Sequence, residues 1–391
     1  MQRLLPTSSL LLAKAVADGI VVAVDDAARH ASQVFWEWSR PWVGPVVAAA
    51  VAVEDDDVRG AAQALLEDNR SRARHERLRQ TLVACAGKRP GVLDELFDLA
   101  WLAETNIRLG YHVGDDYPAA SPPVTWQELE AGSVEVAQSN KAPVLIVIPF
   151  RDDGEDGSRV RNMLACLTAL RDQSFDRESY RVTVVESDTS PRWEEPIRQL
   201  CEHYVFAPKG DSFNKAWAVN VGVFNTPGAV ELVCVLDADI LTDRDFVSRN
   251  VQRFLASGGV GAVIPYRDAL SLGAESSATA IHDRVFAASA AARPSRLRGF
   301  TLRRPPGGCV WARASAFRRV GGMDERYEGW GGEDNDFLYR MEFDTPLDRY
   351  DDPLVHLHHS PTPPSPANAG IPPLSWKPNG LAGDVNRFGS S

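Results

Sequence analysis

Apolar and polar positions along the chain follow two different rhythms. Through about residue 125 the apolar side chains recur at intervals of three and four, as in "AAQALLEDNRSRARHERLRQTLVACA" (61–86), the spacing of one helix face. "PGVLDELFDLAWLAETNIRLG" (90–110) repeats the pattern between a proline and a glycine and predicts a second amphipathic helix. "DDYPAASPPV" (115–124) breaks all periodicity and reads as connecting chain. From residue 143 the rhythm becomes short, continuous apolar runs: "PVLIVIPF" (143–150), "YRVTVVESD" (180–188), "VELVCVLDADI" (230–240) and "VGAVIPY" (260–266). Runs of this kind predict strands buried on both faces of a parallel sheet. Helical stretches lie between them, near 158–171, at "EEPIRQLCEH" (194–203) and at "DSFNKAWAVNVGVFN" (211–225), where Asp211 and Ser212 are the expected caps. The alternation predicts the α/β class, an open sheet with helices on both sides. The expected division is a mostly helical region at 1–125, a linker at 126–142, an α/β domain at 143–360 and a Pro-rich, irregular tail at 361–391.

Composition narrows the options. A net charge of −11 argues against a general nucleic-acid binder, although it is no obstacle to holding one nucleotide locally. The five cysteines are scattered and lack metal-type spacing, which fits a reduced, cytoplasmic setting. "SLLLAKAVADGIVVAV" (9–24) is too short for a membrane span and is interrupted by Lys14 and Asp18. "VGPVVAAAVAV" (43–53) is shorter still, so no membrane crossing is expected. The cluster Arg70, Arg72, Arg74, Arg77 and Arg79 reads as a solvated helix face, with an anionic partner as the alternative.

Candidate chemistry gathers at the strand ends, where open α/β sheets bind ligands. The first strand ends at Phe150, Arg151, Asp152 and Asp153, the second at Glu186, Ser187 and Asp188, the third at Asp237, Ala238 and Asp239. Asp237 and Asp239 emerge from a buried strand on the same side of an extended chain. A hard divalent cation would relieve their repulsion and could bind the phosphates of a nucleotide; two solvated acids are the plainer alternative. "LVHLHHS" (354–360) holds three of the eight histidines, and imidazole with Asp239 suits Mn better than Mg. Spacing leaves open whether His356 or His358 would join His359. "GWGGEDNDF" (329–337) sets three glycines and Trp330 before Glu333, Asp334 and Asp336. The glycines allow unusual backbone states, Trp330 offers a flat surface for a sugar ring, and the acids begin a helix whose positive end favours ionised carboxylates. An acid-capped helix after a glycine-rich turn would explain the same residues.

Taken in order, these segments resemble the β-1,4-galactosyltransferase family, and with it the chondroitin-type polymerases and polypeptide N-acetylgalactosaminyltransferases. "VIPFRDD" is similar to the family's "IPFRNR", "FNKAWAVNVGV" to its "FNRAKLLNVGF", and "VLDADI" to its Asp-Val-Asp strand end. "GGCVWARASAFRRVGGMDERYEGWGGEDNDF" has the layout of its acceptor and catalytic segment, and "HLHHS" falls at its metal histidine. The resemblance covers roughly 143–360. It implies a glycosyltransferase-A fold, Rossmann-like and of the nucleotide-diphospho-sugar transferase type, with a UDP-sugar donor and Mn²⁺. It implies that Phe150, Arg151, Asp152, Glu186, Asp188, Asn214, Lys215 and Asp237 line the nucleotide site, and that Asp239, His359 and His356 hold the metal. Asp334 aligns with the catalytic base, Glu333 with an acid beside the sugars, and Trp330, Gly331 and Gly308 with the sugar and acceptor site. The implied reaction is an inverting transfer of a hexose or N-acetylhexosamine to an acceptor hydroxyl on a glycan, peptide or small metabolite.

The chain departs from that pattern in several ways, among them Lys215 for an arginine and Asn335 for an acid, both mild changes. Residues 1–140 have no counterpart, and no membrane anchor is expected before the catalytic part. Pro305 and Pro306 stand where the galactosyltransferases carry aromatics that shape the donor-sugar pocket, which leaves the donor sugar open. The helical region either covers an acceptor or forms a homodimer. A nucleotidyltransferase would want a Gly-rich phosphate loop where "RDDGEDGSR" is too acidic, and a non-catalytic sugar- or partner-binding protein is the other alternative.

Overall fold

Serine and aspartate punctuate the first hundred residues, and helices start where they fall. The computed structural model describes residues 5–131, 142–152, 154, 156–360, 365–378 and 380–389. Helices α1 (Ser9–Val24), α2 (Asp26–Ala31), α3 (Gln33–Ala52), α4 (Asp56–Glu67), α5 (Arg72–Lys88) and α6 (Asp94–Asn106) follow in turn. The side chains of Asp25, Ser32, Asp55 and Ser71 accept hydrogen bonds from the first-turn amides of α2 to α5. The tempting apolar segment 9–24 is α1, which buries Val16, Ile20 and Val21 among the other helices. No helix is long and apolar enough to cross a membrane among the described residues. Strand β1 (Leu109–Val113) follows α6, so the helix expected to reach Gly110 stops at Asn106.

Beyond α7 (Trp126–Ala131), which occupies the start of the expected linker, 132–141 lie outside the described residues. Four strands then run parallel: β2 (Val144–Phe150), β3 (Tyr180–Glu186), β4 (His203–Phe206) and β5 (Leu232–Leu236), connected through α8 (Ser158–Arg171), α9 (Glu194–Arg198) and α10 (Lys215–Asn225). Every residue of β2, β3 and β5 is buried, as their unbroken apolar runs require. The α10 cap is Asn214, which accepts from the Trp217 amide at 2.8 Å, rather than Asp211 or Ser212. Helix α10 lies close on the sheet because Gly222 faces Val147 and Val185, where a Cβ would overlap the valine side chains.

The chain continues through β6 (Ile240–Leu241), α11 (Phe246–Ala256), β7 (Ala262–Ile264), β8 (Asp268–Leu272), α12 (Ala274–Ile281), β9 (Arg298–Arg303), β10 (Cys309–Arg313), α13 (Ala314–Arg319), α14 (Glu333–Asp344), β11 (Leu347–Arg349) and β12 (Leu354–His356). The larger sheet has the order β11-β7-β10-β5-β2-β3-β4. It is mixed rather than parallel, since β10 runs antiparallel to both β5 and β7. After β4 the chain returns past β2 to place β5 on its other side, so the β2 and β5 ends form the topological switch point.

Two compact units result. The first takes 1–120 with 268–276 and 294–304; the second takes 121–267, 277–293 and 305–391. In the first unit β9 pairs antiparallel with both β1 and β8. Two buried polar links tie it together: Asp18 to His75 at 2.8 Å, and Arg298 to Asp25 and to the Tyr111 hydroxyl. All five cysteines are free and buried.

The described part of the C-terminal tail is irregular backbone around one 3-10 turn, Pro366–Gly370, and it is packed. Trp376 is buried, the Trp217 indole donates to the Asp384 carbonyl at 2.7 Å, and Phe388 meets Trp217 edge-on with centroids 4.9 Å apart. Residues 361–364 lie outside the described residues.

Candidate active site

The end of β5 divides its two acids between two separate clusters. A tight turn follows Leu236, in which the Ile240 amide donates to the Asp237 carbonyl at 3.2 Å. Strand β6 then pairs antiparallel with β12, setting His356 opposite Ile240, and the Leu357 amide donates to the Asp239 carbonyl at 2.8 Å. This pairing brings residues over a hundred positions apart into contact. Asp239 Oδ2 lies 3.1 Å from His359 Nε2 and 3.5 Å from His356 Nε2. The His359 Nδ1 faces the Ser360 carbonyl at 2.8 Å, so Nε2 is the nitrogen turned to Asp239.

Helix α8 holds the histidine segment by its backbone. Arg159 donates to the Ser360 carbonyl at 3.0 Å, Arg161 to the His358 carbonyl at 2.8 Å, and Asn162 to the same carbonyl at 3.1 Å. His358 is fixed through its main chain and is not among the three residues whose ligand atoms converge within 4.8 Å. The set of one carboxylate and two imidazoles fits a divalent transition metal. Asp239 Oδ1 is buried without a hydrogen-bond partner, which leaves it available to such an ion. Burial alone would raise the Asp239 carboxyl, but the two imidazoles hold it well below the usual carboxylate range. Burial lowers His356; at His359 burial also pulls down, but the hydrogen bond and the charge of Asp239 together outweigh it and raise the imidazole.

The second cluster centres on Lys215, at the first turn of α10. Its Nζ lies 2.7 Å from Asp237 Oδ1 and 3.0 Å from Asp334 Oδ2. Asp237 and Asp239 therefore do not share one counter-charge; Lys215 takes the first and the histidines the second. Burial pushes Asp237 up to about 6 against the pull of Lys215. Asp334 and Glu333 open α14, as the acid run predicted. The Asp334 carboxylate packs on the bare Cα of Gly307, where a Cβ would overlap it. The Tyr266 hydroxyl donates to the Gly307 carbonyl from behind. Gly308, at φ +102°, accepts the Asp237 amide at 2.9 Å. Gly307 and Tyr266 were not singled out in the sequence; the Gly-Gly pair at 307–308 was the available signal.

Glu333 is buried, and one oxygen accepts the Gly331 amide at 3.1 Å. Burial and the neighbouring Asp334 push its carboxyl up to about 7 from 4.5. A raised acid favours the folded state when protonated. Its contribution is complete below pH 4.5 and is lost as pH rises through about 7. Glu333→Gln should therefore raise the thermal midpoint relative to wild type at pH 8, with the difference shrinking toward pH 4.5. Calorimetric midpoints that differ by the same amount at both pH values would remove this assignment.

The residues expected to line a nucleotide site have varied surroundings. Phe150 and Asp152 are buried at the β2 end, and Arg151 donates to the Lys209 carbonyl at 2.9 Å and to that of Asp211. Asp188 pairs with Arg192 at 2.5 Å. Asp153 lies outside the described residues. Two polar residues of that set, Glu186 and Asn214, are bonded inward. Glu186 is fully buried, accepting from the Tyr204 hydroxyl at 2.5 Å and from the amides of Arg192 and Trp193. Asn214 caps α10 and donates to the Glu325 carbonyl at 2.8 Å. Trp330 is 45% exposed, which leaves its ring open to a ligand.

A carboxylate–imidazole set thus lies beside a Lys-bridged acid pair at the end of β5. Residues 146–321 match the model described as glycosyl transferase family 2, and residues 298–348 match the N-terminal domain of galactosyltransferase. The chain thus resembles glycosyltransferases in both stretches, and its fold is of the glycosyltransferase-A type with a helical N-terminal region. No curated protein matches the sequence. Among solved structures, the mannosyltransferase PcManGT from Pyrobaculum calidifontis, in complex with GDP-Man and Mn²⁺, is similar at 17% identity and TM-score 0.37, over 59% of this chain and 62% of that one. S. aureus TarS 1–349 is similar at 11% identity and TM-score 0.38, over 55% and 60%. The catalytic domain of Drosophila β1,4-galactosyltransferase 7, in complex with xylobiose, is similar at 18% identity and TM-score 0.32, over 56% and 71%. The chain spans less than two thirds of the first two structures.

Proposed function

We propose that this chain is a metal-dependent, inverting glycosyltransferase that moves a hexose or N-acetylhexosamine from a UDP-sugar to an acceptor hydroxyl. One observation carries the reading: a single turn, Asp237-Ala238-Asp239, joins the carboxylate–imidazole cluster to the Lys215–Asp334 cluster. That spacing sets a diphosphate-binding end beside a proton-accepting end. Asp239, His356 and His359 would hold a divalent cation such as Mn²⁺, which supplies charge stabilisation for a departing diphosphate. Asp334 takes the proton of the acceptor hydroxyl, which is a poor nucleophile without a base. Lys215 orients that carboxylate through its 3.0 Å contact. Trp330 contributes a flat face to the sugar, and the loop around it excludes water that would hydrolyse the donor. Attack from the side opposite the leaving group inverts the anomeric centre.

Incubation with Mn²⁺ and a panel of UDP-sugars should release UDP, slowly to water where no acceptor is supplied. Absence of both UDP release and calorimetric UDP binding would remove the reading. Sugar binding that ignores metal would favour a non-catalytic binding protein, and release of pyrophosphate a nucleotidyltransferase.

A further inference from the structure

The loop 328–331 carries Trp330 and leads into the acids of α14, and its glycines suggest a segment free to move. Gly329, Gly331 and Gly332 all sit at positive φ, from +72° to +109°, so the loop uses backbone states that most residues avoid. Yet its polar backbone is bound from several sides. The Gly329 amide donates to the Phe213 carbonyl at 2.7 Å. The Gly331 amide donates to Glu333 at 3.1 Å, and the remaining contacts come from the C-terminal tail. The Ser365 amide donates to the Trp330 carbonyl at 3.0 Å. Asn368, 8% exposed, grips the loop with both ends of its carboxamide: Oδ1 accepts from the Glu328 amide at 3.1 Å, and Nδ2 donates to the Gly331 carbonyl at 2.7 Å. Only one orientation of the amide satisfies both partners, so the side chain spans the loop like a brace.

The tail is itself anchored in the second unit. The Leu374 amide donates to Asp336 Oδ1 at 2.7 Å, the Gly383 amide to Glu325 Oε1 at 2.7 Å, and Arg387 pairs with Glu325. Asn368 lies beyond residue 348, where the matched galactosyltransferase stretch ends.

We infer that Asn368 is a positioning residue that preorganises loop 328–331, and so sets the strength of sugar recognition at the proposed donor site. The role rests on the transferase reading for its consequence, but not for its structural half. Holding a glycine-rich loop in one state before ligand arrives removes an ordering cost from binding. The cost falls on the sugar, which the loop faces, and not on the nucleoside diphosphate held at the strand ends.

Two readouts on the full chain test this. Hydrogen exchange should be about 30-fold faster across 326–332 in Asn368→Ala, the effect of losing two hydrogen bonds of ordinary strength. Asn368→Asp keeps the acceptor for the Glu328 amide but turns an acceptor oxygen onto the Gly331 carbonyl, so exchange should again be faster than in wild type, and it serves if the alanine variant folds poorly. Calorimetry with Mn²⁺ should then show UDP bound as tightly as by wild type. Binding should be about tenfold weaker for whichever of UDP-galactose, UDP-glucose and UDP-N-acetylgalactosamine the wild type takes. Unchanged exchange overturns the brace. Faster exchange with unchanged sugar binding, or equal weakening of UDP and UDP-sugar, overturns its role in recognition. A wild type that binds no UDP-sugar defeats the transferase reading instead, and exchange still judges the brace.

Discussion

Asp334→Asn should lower the turnover number for UDP-sugar by about 10²–10⁴-fold, the usual worth of a positioned general base. The substitution is nearly isosteric, so the carboxamide still fits against the bare Cα of Gly307. Its oxygen can still accept from Lys215, which stands 3.0 Å from Asp334 and also holds Asp237. What disappears is the ability to take a proton from the acceptor. Turnover measured as UDP release, with circular dichroism to confirm the fold, isolates that loss. A variant at full rate would shift the base to another group, and Glu333 is the adjacent carboxyl to examine. Its raised pKa, about 7, makes it a weaker candidate below neutrality, where it is largely protonated.

Asp239→Asn should be comparably damaging by a different route. The residue supplies the one carboxylate of the three converging ligand groups. A neutral carboxamide leaves two imidazoles with no anionic ligand to balance a dication. Mn²⁺ affinity should fall by more than the 10–100-fold typical when only an outer partner of a ligand is changed. Metal-dependent UDP release should fall with it. Titration of Mn²⁺ by calorimetry gives a readout independent of turnover. The Lys215–Asp334 contact lies outside this cluster, so Asp334 should keep its environment. Unchanged Mn²⁺ affinity would separate the carboxylate–histidine cluster from any role with the ion.

The parts legible in the sequence were those whose cause is local. An unbroken apolar run such as 144–150 has few options other than a doubly covered strand, and β2, β3 and β5 appear where such runs lie. Strand β1 was not legible, because five residues after a helix become a strand only by pairing with β9, nearly two hundred positions later. Strand β10 escaped for a related reason, since it fits antiparallel between β5 and β7. At the site, Asp239 and the histidines announced themselves by residue type, as did the acids of α14. Glu186 and Asn214 carried the same polar signal at the same kind of position, yet both are bonded inward to the chain. Composition cannot separate a carboxylate that faces a crevice from one that holds a turn. Gly307, Tyr266 and Asn368 matter through what lies across from them, and nothing in their immediate sequence names that neighbour.

The interleaving of the two compact units has a consequence for any attempt at dissection. Strands β8 and β9 are contributed by 268–276 and 294–304, stretches enclosed in sequence by the transferase-like part, yet β9 has β1 as its partner. A truncated chain beginning near residue 121 would strip β1 from β9 and leave an unsatisfied sheet edge, a template for aggregation. Arg298 would lose Asp25 and Tyr111 in the same cut. The helical portion expressed alone would in turn lack β9, the strand that pairs with β1. No single break in the chain should yield two self-sufficient fragments, so the helices must be produced together with the sequence that follows them.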